Sequence, residues 1–142
     1  MLSIKTGDFL NVGQGIICHQ VNCRHVAGAG LALQIRHRWP QWYLDFRAAT
    51  SKLGTASFFE VEPSLFVANL YAQDGYGRKG RHTNYPAFRH CLKHVAQFAN
   101  LHDLQVHLPV GIGCGLAGGD WSIVQAIIAQ ELPKAILIEK TT

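Results

Sequence analysis

The chain has 142 residues, of which 48% are hydrophobic and only 15% are charged, and its formal net charge is +4. This length and composition exclude a disordered chain and predict one folded domain over residues 1–142. The mild positive charge suits an anionic ligand but is too small to require nucleic acid.

The sequence shows no charged-then-apolar leader and no run of 18 apolar residues. We therefore expect a cytoplasmic protein that has no membrane partner, and we expect it to be a monomer. The cysteines are scattered, which predicts reduced thiols rather than a disulfide framework; they are Cys18, Cys23, Cys91 and Cys114.

The first predicted element is a strand within residues 2–10, which end in Gly7-Asp8-Phe9-Leu10. Asp8 is either a turn residue or a ligand contact, and the sequence alone favours the turn. Residues 11–15 then make a short connection.

Residues 16–35 combine an apolar strand, a polar turn, a glycine-rich loop and the start of a helix. Small residues let a backbone approach a ligand closely, and amides at a helix N-terminus favour negative charge. The stretch is therefore a candidate diphosphate cradle. It lacks the dinucleotide-binding fingerprint, because Leu33 stands where that pattern needs its third glycine. A tight strand-to-helix turn with close packing is the alternative interpretation.

The same stretch contains thiols and imidazoles that suggest a zinc site. The C-x4-C spacing is loose for zinc, and strand alternation would place Cys18 and His19 on opposite faces. We therefore expect no metal.

The next elements are two short helices and a hairpin. The helix that begins at about Gly30 should end near His37, because Trp39-Pro40 interrupts it, and residues 41–49 should resume as a second helix. Residues 55–61 and 65–72 read as strands, and the Glu62-Pro63-Ser64 turn between them predicts a hairpin.

Residues 73–84 form a basic, glycine-rich segment with Arg78, Lys79 and Arg81. It is either a loop that closes over an anionic ligand or a solvated surface loop. The same charges also suit a nucleic-acid-binding module.

The remaining chain predicts a helix over residues 85–99, a strand over 104–110, a helix over 121–131 and a strand over 135–139. His90 and His94 should lie on the exposed face of the first of these helices. A second glycine-rich loop, within residues 109–121, again follows a strand and precedes a helix. The element order predicts an α/β fold, a three-layer α/β/α sandwich on a mixed sheet of about six strands.

Four motifs, in order, resemble those of a macro domain. They are Gly7-Asp8-Phe9, His19-Gln20-Val21-Asn22-Cys23, Ala27-Gly28-Ala29-Gly30-Leu31-Ala32, and Gly111-Ile112-Gly113-Cys114-Gly115-Leu116 followed by Trp121. The resemblance covers essentially the whole chain. It is greatest to the subclass that includes the terminal ADP-ribose protein glycohydrolase, ADP-ribose 1''-phosphate phosphatases, and antitoxin macro domains that remove ADP-ribose from DNA.

The resemblance implies an ADP-ribose site. Asp8 would accept a hydrogen bond from the adenine amino group, Phe9 would border the same pocket, and Asn22 would contact the distal ribose. The two glycine-rich loops would hold the diphosphate; their matching residues are Ala27, Gly28, Ala29, Gly30 and Leu31 in the first loop, and Ile112, Gly113, Cys114, Gly115, Leu116 and Ala117 in the second.

The chain departs from the family pattern at the positions that carry catalysis. Gln73 and Ala117 stand at the lysine and aspartate positions of the protein glycohydrolase, so a lysine adduct is not expected. His19 matches a strand histidine implicated in catalysis in the phosphatase-like members, or is a buried histidine bonded within the sheet. Asp120 either activates water or caps the last helix, and the cap is favoured. Cys114 is explained by close packing rather than by a nucleophilic role.

The predicted function is binding of ADP-ribose, with hydrolysis at the distal ribose of ADP-ribose 1''-phosphate or of a terminal ADP-ribosyl adduct on protein or nucleic acid. The predicted catalytic residues are His19, Asn22 and Asp120, with no cofactor. The alternatives are a non-catalytic reader of ADP-ribosyl groups and a nucleic-acid-binding module.

Overall fold

The computed structural model describes residues 2–75 and 81–140, which build a six-stranded sheet with helices on both faces. The predicted basic segment falls partly outside this range, because residues 76–80 are not described. The strands are β1 (Ser3–Gly7), β2 (Gly15–Asn22), β3 (Ala56–Glu62), β4 (Leu65–Gln73), β5 (Val106–Pro109) and β6 (Ile136–Lys140). The helices are α1 (Gly30–Arg38), α2 (Pro40–Ala48), α3 (Tyr85–His102) and α4 (Trp121–Glu131).

The sheet is mixed, in the order β1-β6-β5-β2-β4-β3. Only β3 runs antiparallel to its neighbour, and it forms the predicted hairpin with β4. The other five strands are parallel, so their carboxyl ends meet at one edge. In open α/β sheets this edge is where ligands bind.

Strand β2 is the centre of the fold because both of its faces are buried. Ile17 and Val21 pack with Ile35 of α1 and Trp42 of α2 on one face of the sheet. The alternate residues Ile16 and Cys18 belong to the apolar core on the other face, with side chains of α3 and α4. This period-two division gives two apolar cores and confirms the predicted α/β/α sandwich.

Helix boundaries follow local chemistry. Trp39 separates α1 from α2, and Pro40 occupies the first turn of α2, where a missing N–H costs nothing. Helix α3 begins after Asn84, whose side chain accepts from the Ala87 amide. It runs past the predicted end at residue 99 and stops at Asp103, which adopts a left-handed conformation with φ of 53°.

No helix within residues 2–75 and 81–140 is long and apolar enough to cross a membrane.

Candidate ligand-binding site

A cavity of about 660 Å³ opens at the carboxyl edge of the sheet, between the two glycine-rich loops. Its floor is the end of β2 together with Gln73 of β4 and Pro109 of β5. The walls come from the loop before α1 and the loop after β5. The cavity residues are His19, Gln20, Val21, Asn22, Val26, Gly28, Ala29, Gly30, Leu31, Ala32, Gln73, Pro109, Val110, Gly111, Ile112, Gly113, Gly115, Leu116 and Ala117.

The first wall is the N-terminus of α1. Ala29 is the N-cap residue and offers no side-chain cap, so the first amides of the helix have no acceptor from that position. Gly30 has a φ of 59°, which glycine adopts without strain. Gly28 to Leu31 line the cavity, whereas Ala27 is only 3% exposed and packs into the core beneath.

The second wall is a tightly wound loop. Gly111 and Gly113 have φ values of 86° and 75°, and the amide of Gly119 donates to the Gly113 carbonyl at 2.9 Å. Among the described residues, no acceptor pairs with the amides of Gly115, Leu116 and Ala117, all of which line the cavity. Uncapped amides on two facing walls suit a ligand with two anionic groups.

Cys114 does not line the cavity, unlike its neighbours on the second loop. Its Sγ donates to the Ile112 carbonyl, and partial burial raises the pKa of the thiol. A protonated thiol is a poor nucleophile. This arrangement favours the packing interpretation.

Asn22 lines the cavity, but its side chain is largely engaged in its own loop. Its Oδ1 accepts from the amides of Arg24 and Val26 at 3.0 and 3.1 Å, and its Nδ2 donates to the Val26 carbonyl at 2.9 Å. Both oxygen lone pairs are therefore used, and one N–H of the amide group stays available. The side chain shapes the turn after β2 and can still offer one donor to a ligand.

His19 belongs to a buried hydrogen-bonded network. Its Nε2 lies 2.7 Å from Asn69 Oδ1, which also accepts from Trp42 Nε1 at 2.9 Å. An indole N–H can only donate, so the shared Asn69 atom is the oxygen and His19 carries its proton on Nε2. Its Nδ1 is buried and has no partner among the described residues. Burial lowers the pKa of His19 to about 4, so the ring is neutral at pH 7.

No protein-family model matches the sequence. A Bacteroides thetaiotaomicron protein of solved structure is 32% identical, with a TM-score of 0.88 over 99% of this chain and 100% of that one. A macrodomain protein from Streptomyces coelicolor is 29% identical, with a TM-score of 0.81 over the full length of both chains. The chain has the macrodomain fold. Thermosipho africanus DarTG, solved in complex with ADP-ribose, is 18% identical with a TM-score of 0.82, over 99% of this chain and 42% of that one.

Besides Ala27 and Cys114, three more predicted site residues of this macrodomain lie outside the cavity wall. Asp8 follows β1 and uses both carboxylate oxygens in the turn, accepting from the Leu10 amide and from Asn11. Phe9 is 8% exposed and packs in the core near α1 and α2. Asp120 is exposed and caps α4 by accepting from the amide and hydroxyl of Ser122.

The cavity floor of the macrodomain contains a polar network that the sequence did not predict. Gln20 Nε2 donates to Gln73 Oε1 and to Thr83 Oγ1, each at 2.8 Å. Thr83 in turn donates to the Gly113 carbonyl at 2.6 Å. Strand alternation predicts that Gln20 and His19 point to opposite faces of the sheet. No local signal in the sequence predicts that Gln20 bonds to Thr83, which is more than sixty positions away.

Ionisable groups are scarce around the cavity of this macrodomain. His19 is the single titratable side chain among the described cavity residues. Within residues 2–75 and 81–140, no group of three or more His, Cys, Asp and Glu side chains is arranged to hold a metal ion.

The burial of His19 predicts a pH-dependent stability. In the unfolded chain His19 becomes protonated as the pH falls below 6.5, its usual pKa. In the folded chain it becomes protonated only near pH 4. Folding stability is therefore lost as the pH falls through this window, by roughly 2 kcal/mol between pH 7 and 4.5. Urea titrations at both pH values should show this loss, and His19→Gln should show a loss smaller by about that amount. Equal pH dependence in the two proteins would contradict a neutral, buried His19.

Proposed function

We propose that this macrodomain binds ADP-ribose, free or as an ADP-ribosyl group on a larger molecule. One observation carries the proposal: two walls of uncapped amides, at Gly30–Leu31 and Gly115–Ala117, face each other across a cavity of about 660 Å³. A diphosphate offers one anionic group to each wall. The similarity to the fold of Thermosipho africanus DarTG, solved with ADP-ribose, supports the same ligand.

The ends of the ligand would meet the polar side chains beside these loops. Asn22 would offer its remaining Nδ2 hydrogen to the distal ribose. Asp8 would accept from the adenine amino group, since a carboxylate bonded twice still has lone pairs to offer. Phe9 would then support this end through the core packing beneath Asp8.

Hydrolysis at the distal ribose is the second candidate, and His19 is the residue that favours it. Its buried Nδ1 keeps a free lone pair, which would accept the proton of an attacking water molecule only if that water entered between the ring and the ribose carbon. A pKa of about 4 makes it a weak base, so we expect slow turnover compared with a histidine of ordinary pKa. Asp120 lies outside the cavity as a helix cap, and its capping bonds lower its pKa. The geometry therefore supports binding better than catalysis.

The arginines of α1 and α2 favour a nucleic acid as the carrier of the ADP-ribosyl group. Arg36, Arg38 and Arg47 lie on α1 and α2, and none makes a salt bridge within the described part of the chain. On the opposite layer, by contrast, Arg89 and Lys93 both pair with Glu131. Unneutralised arginines suit the phosphates of a polyanion.

Titration calorimetry with ADP-ribose tests the binding proposal. We expect saturable binding, and we expect Leu31→Asp to weaken it at least tenfold, because a carboxylate beside the first loop repels the diphosphate. An acidic residue in the first turn of α1 suits the helix dipole, which offsets part of the core packing that half-buried Leu31 supplies, and a circular dichroism spectrum matching wild type should confirm that the fold persists. The matched control is Leu44→Asp, since Leu44 is 56% exposed on α2 and does not line the cavity. Failure of the wild type to bind ADP-ribose would overturn the proposal.

A turnover panel separates a hydrolase from a reader. The protein is incubated with ADP-ribose 1''-phosphate, ADP-ribosylated protein and ADP-ribosylated DNA, and released ADP-ribose is measured by mass spectrometry. Release that His19→Gln abolishes would support hydrolysis and identify the carrier. Binding without release from any of the three would leave a reader.

A further inference from the structure

Thr83 holds the second glycine-rich loop from outside the cavity. The residue is 2% exposed and does not line the cavity. Its hydroxyl donates to the Gly113 carbonyl at 2.6 Å and accepts from Gln20 Nε2 at 2.8 Å. The hydroxyl therefore has both its donor and one acceptor position filled, which fixes its orientation.

The backbone of the same segment holds the other end of the loop. The amides of His82 and Thr83 donate to the Ala117 carbonyl at 2.7 and 3.1 Å. Residues 82–83 are themselves anchored to the end of β4. Thr83 forms an antiparallel β-bridge with Gln73, and the Asn84 amide donates to the Ala72 carbonyl at 2.8 Å. Two loop carbonyls, four residues apart, are thus bonded to one fixed segment.

This arrangement decides which polar groups the loop offers to a ligand. Carbonyl oxygens carry partial negative charge and repel a phosphate, whereas amides attract it. With the Gly113 and Ala117 carbonyls engaged by residues 82–83, the intervening amides of Gly115 and Leu116 remain for the cavity. Release of either carbonyl would let the loop rotate an oxygen towards the anion.

We propose that Thr83 is a positioning residue for ligand binding, whose hydroxyl keeps the Gly113 carbonyl out of the phosphate site while its backbone amide helps to hold the Ala117 carbonyl. The predicted effect on affinity rests on the proposed function, because it takes ADP-ribose as the ligand. Gln20 contributes by holding the Thr83 hydroxyl against the end of β4. Thr83 touches no reacting atom, so its effect is on affinity.

The test compares Thr83→Val with Thr83→Ser. Valine has nearly the same shape but no hydroxyl, so we expect ADP-ribose affinity to fall about tenfold, which corresponds to roughly one lost hydrogen bond. Serine keeps the hydroxyl and should restore affinity to within about threefold of wild type. Thr55→Val is the matched control, because the Thr55 hydroxyl also donates to a carbonyl at 2.6 Å, that of Lys52, away from the cavity.

Hydrogen exchange supplies a readout that does not need the ligand. We expect amide exchange in residues 111–120 to speed up in Thr83→Val and to return to the wild-type rate in Thr83→Ser. Exchange at the wild-type rate in Thr83→Val would overturn the proposal. If the wild type binds ADP-ribose, a Thr83→Val variant with the same affinity would also overturn it. If the wild type does not bind ADP-ribose, the proposed function fails and exchange alone decides whether Thr83 holds the loop.

Discussion

Gly119→Ala is expected to weaken ADP-ribose binding at least tenfold, although Gly119 does not line the cavity. A Cβ at this position would lie 2.6 Å from the carbonyl oxygen of Gly113, which is closer than van der Waals contact allows. The obstacle is backbone, so no rotamer change relieves it, and the Gly113 carbonyl must move. That movement breaks its bonds from the Gly119 amide and the Thr83 hydroxyl, each worth about 1 kcal/mol.

Calorimetric titration of ADP-ribose measures this loss, and Gly115→Ala is the matched control. Gly115 does line the cavity, but a Cβ there meets no atom within 4 Å. We therefore expect Gly115→Ala to bind within about threefold of wild type. Wild-type affinity in Gly119→Ala would contradict the argument that the loop shape governs binding. Circular dichroism spectra of both variants should match wild type, which limits the effect to the loop.

The sequence predicted the fold because its signals are local. The apolar run of β2, the proline at position 40 and the Pro63-containing turn each act within a few residues, and all three appear where expected. The predicted end of α3 was wrong by three residues. Helix ends depend on a single residue that leaves helical geometry, here Asp103, and apolar periodicity does not detect it.

The candidate site was only partly predictable, for a physical reason. Glycines near strand ends indicate where a backbone approaches a ligand, and both predicted loops do line the cavity. Side-chain roles depend on partners distant in sequence: Thr83 with Gly113, and His19 with Asn69. Residues that look functional, such as Cys114, turn out to be committed to local hydrogen bonds.

The bond from His19 to Asn69 has the largest expected effect on stability. Asn69 is fully buried, and its Oδ1 is the shared acceptor for the His19 and Trp42 N–H groups. Asn69→Leu removes this acceptor and leaves two buried donors without partners, each of which costs about 1–3 kcal/mol. We therefore expect the free energy of unfolding to fall by about 3 kcal/mol or more, after allowing for the added apolar burial of leucine.

Urea unfolding measures the change, and Ser57→Ala provides the comparison within the same network. Ser57 accepts from Asn69 Nδ2 at 3.1 Å and is bonded to the Tyr71 hydroxyl, but it touches neither donor of Oδ1. Its replacement should cost only about 1 kcal/mol. A loss in Asn69→Leu no greater than that of Ser57→Ala would show that the shared acceptor matters little.

Asn69→Asp extends the argument from stability to proton handling. The aspartate keeps an oxygen for both donors but adds a negative charge beside His19, and a nearby negative charge favours the protonated imidazole. We expect the His19 pKa to rise from about 4, which NMR titration of the ring would follow. If turnover exists, its pH dependence should move in the same direction. Burial keeps His19 uncharged in the folded protein because position 69 carries no negative charge to oppose it. An unchanged ring titration in Asn69→Asp would contradict this account.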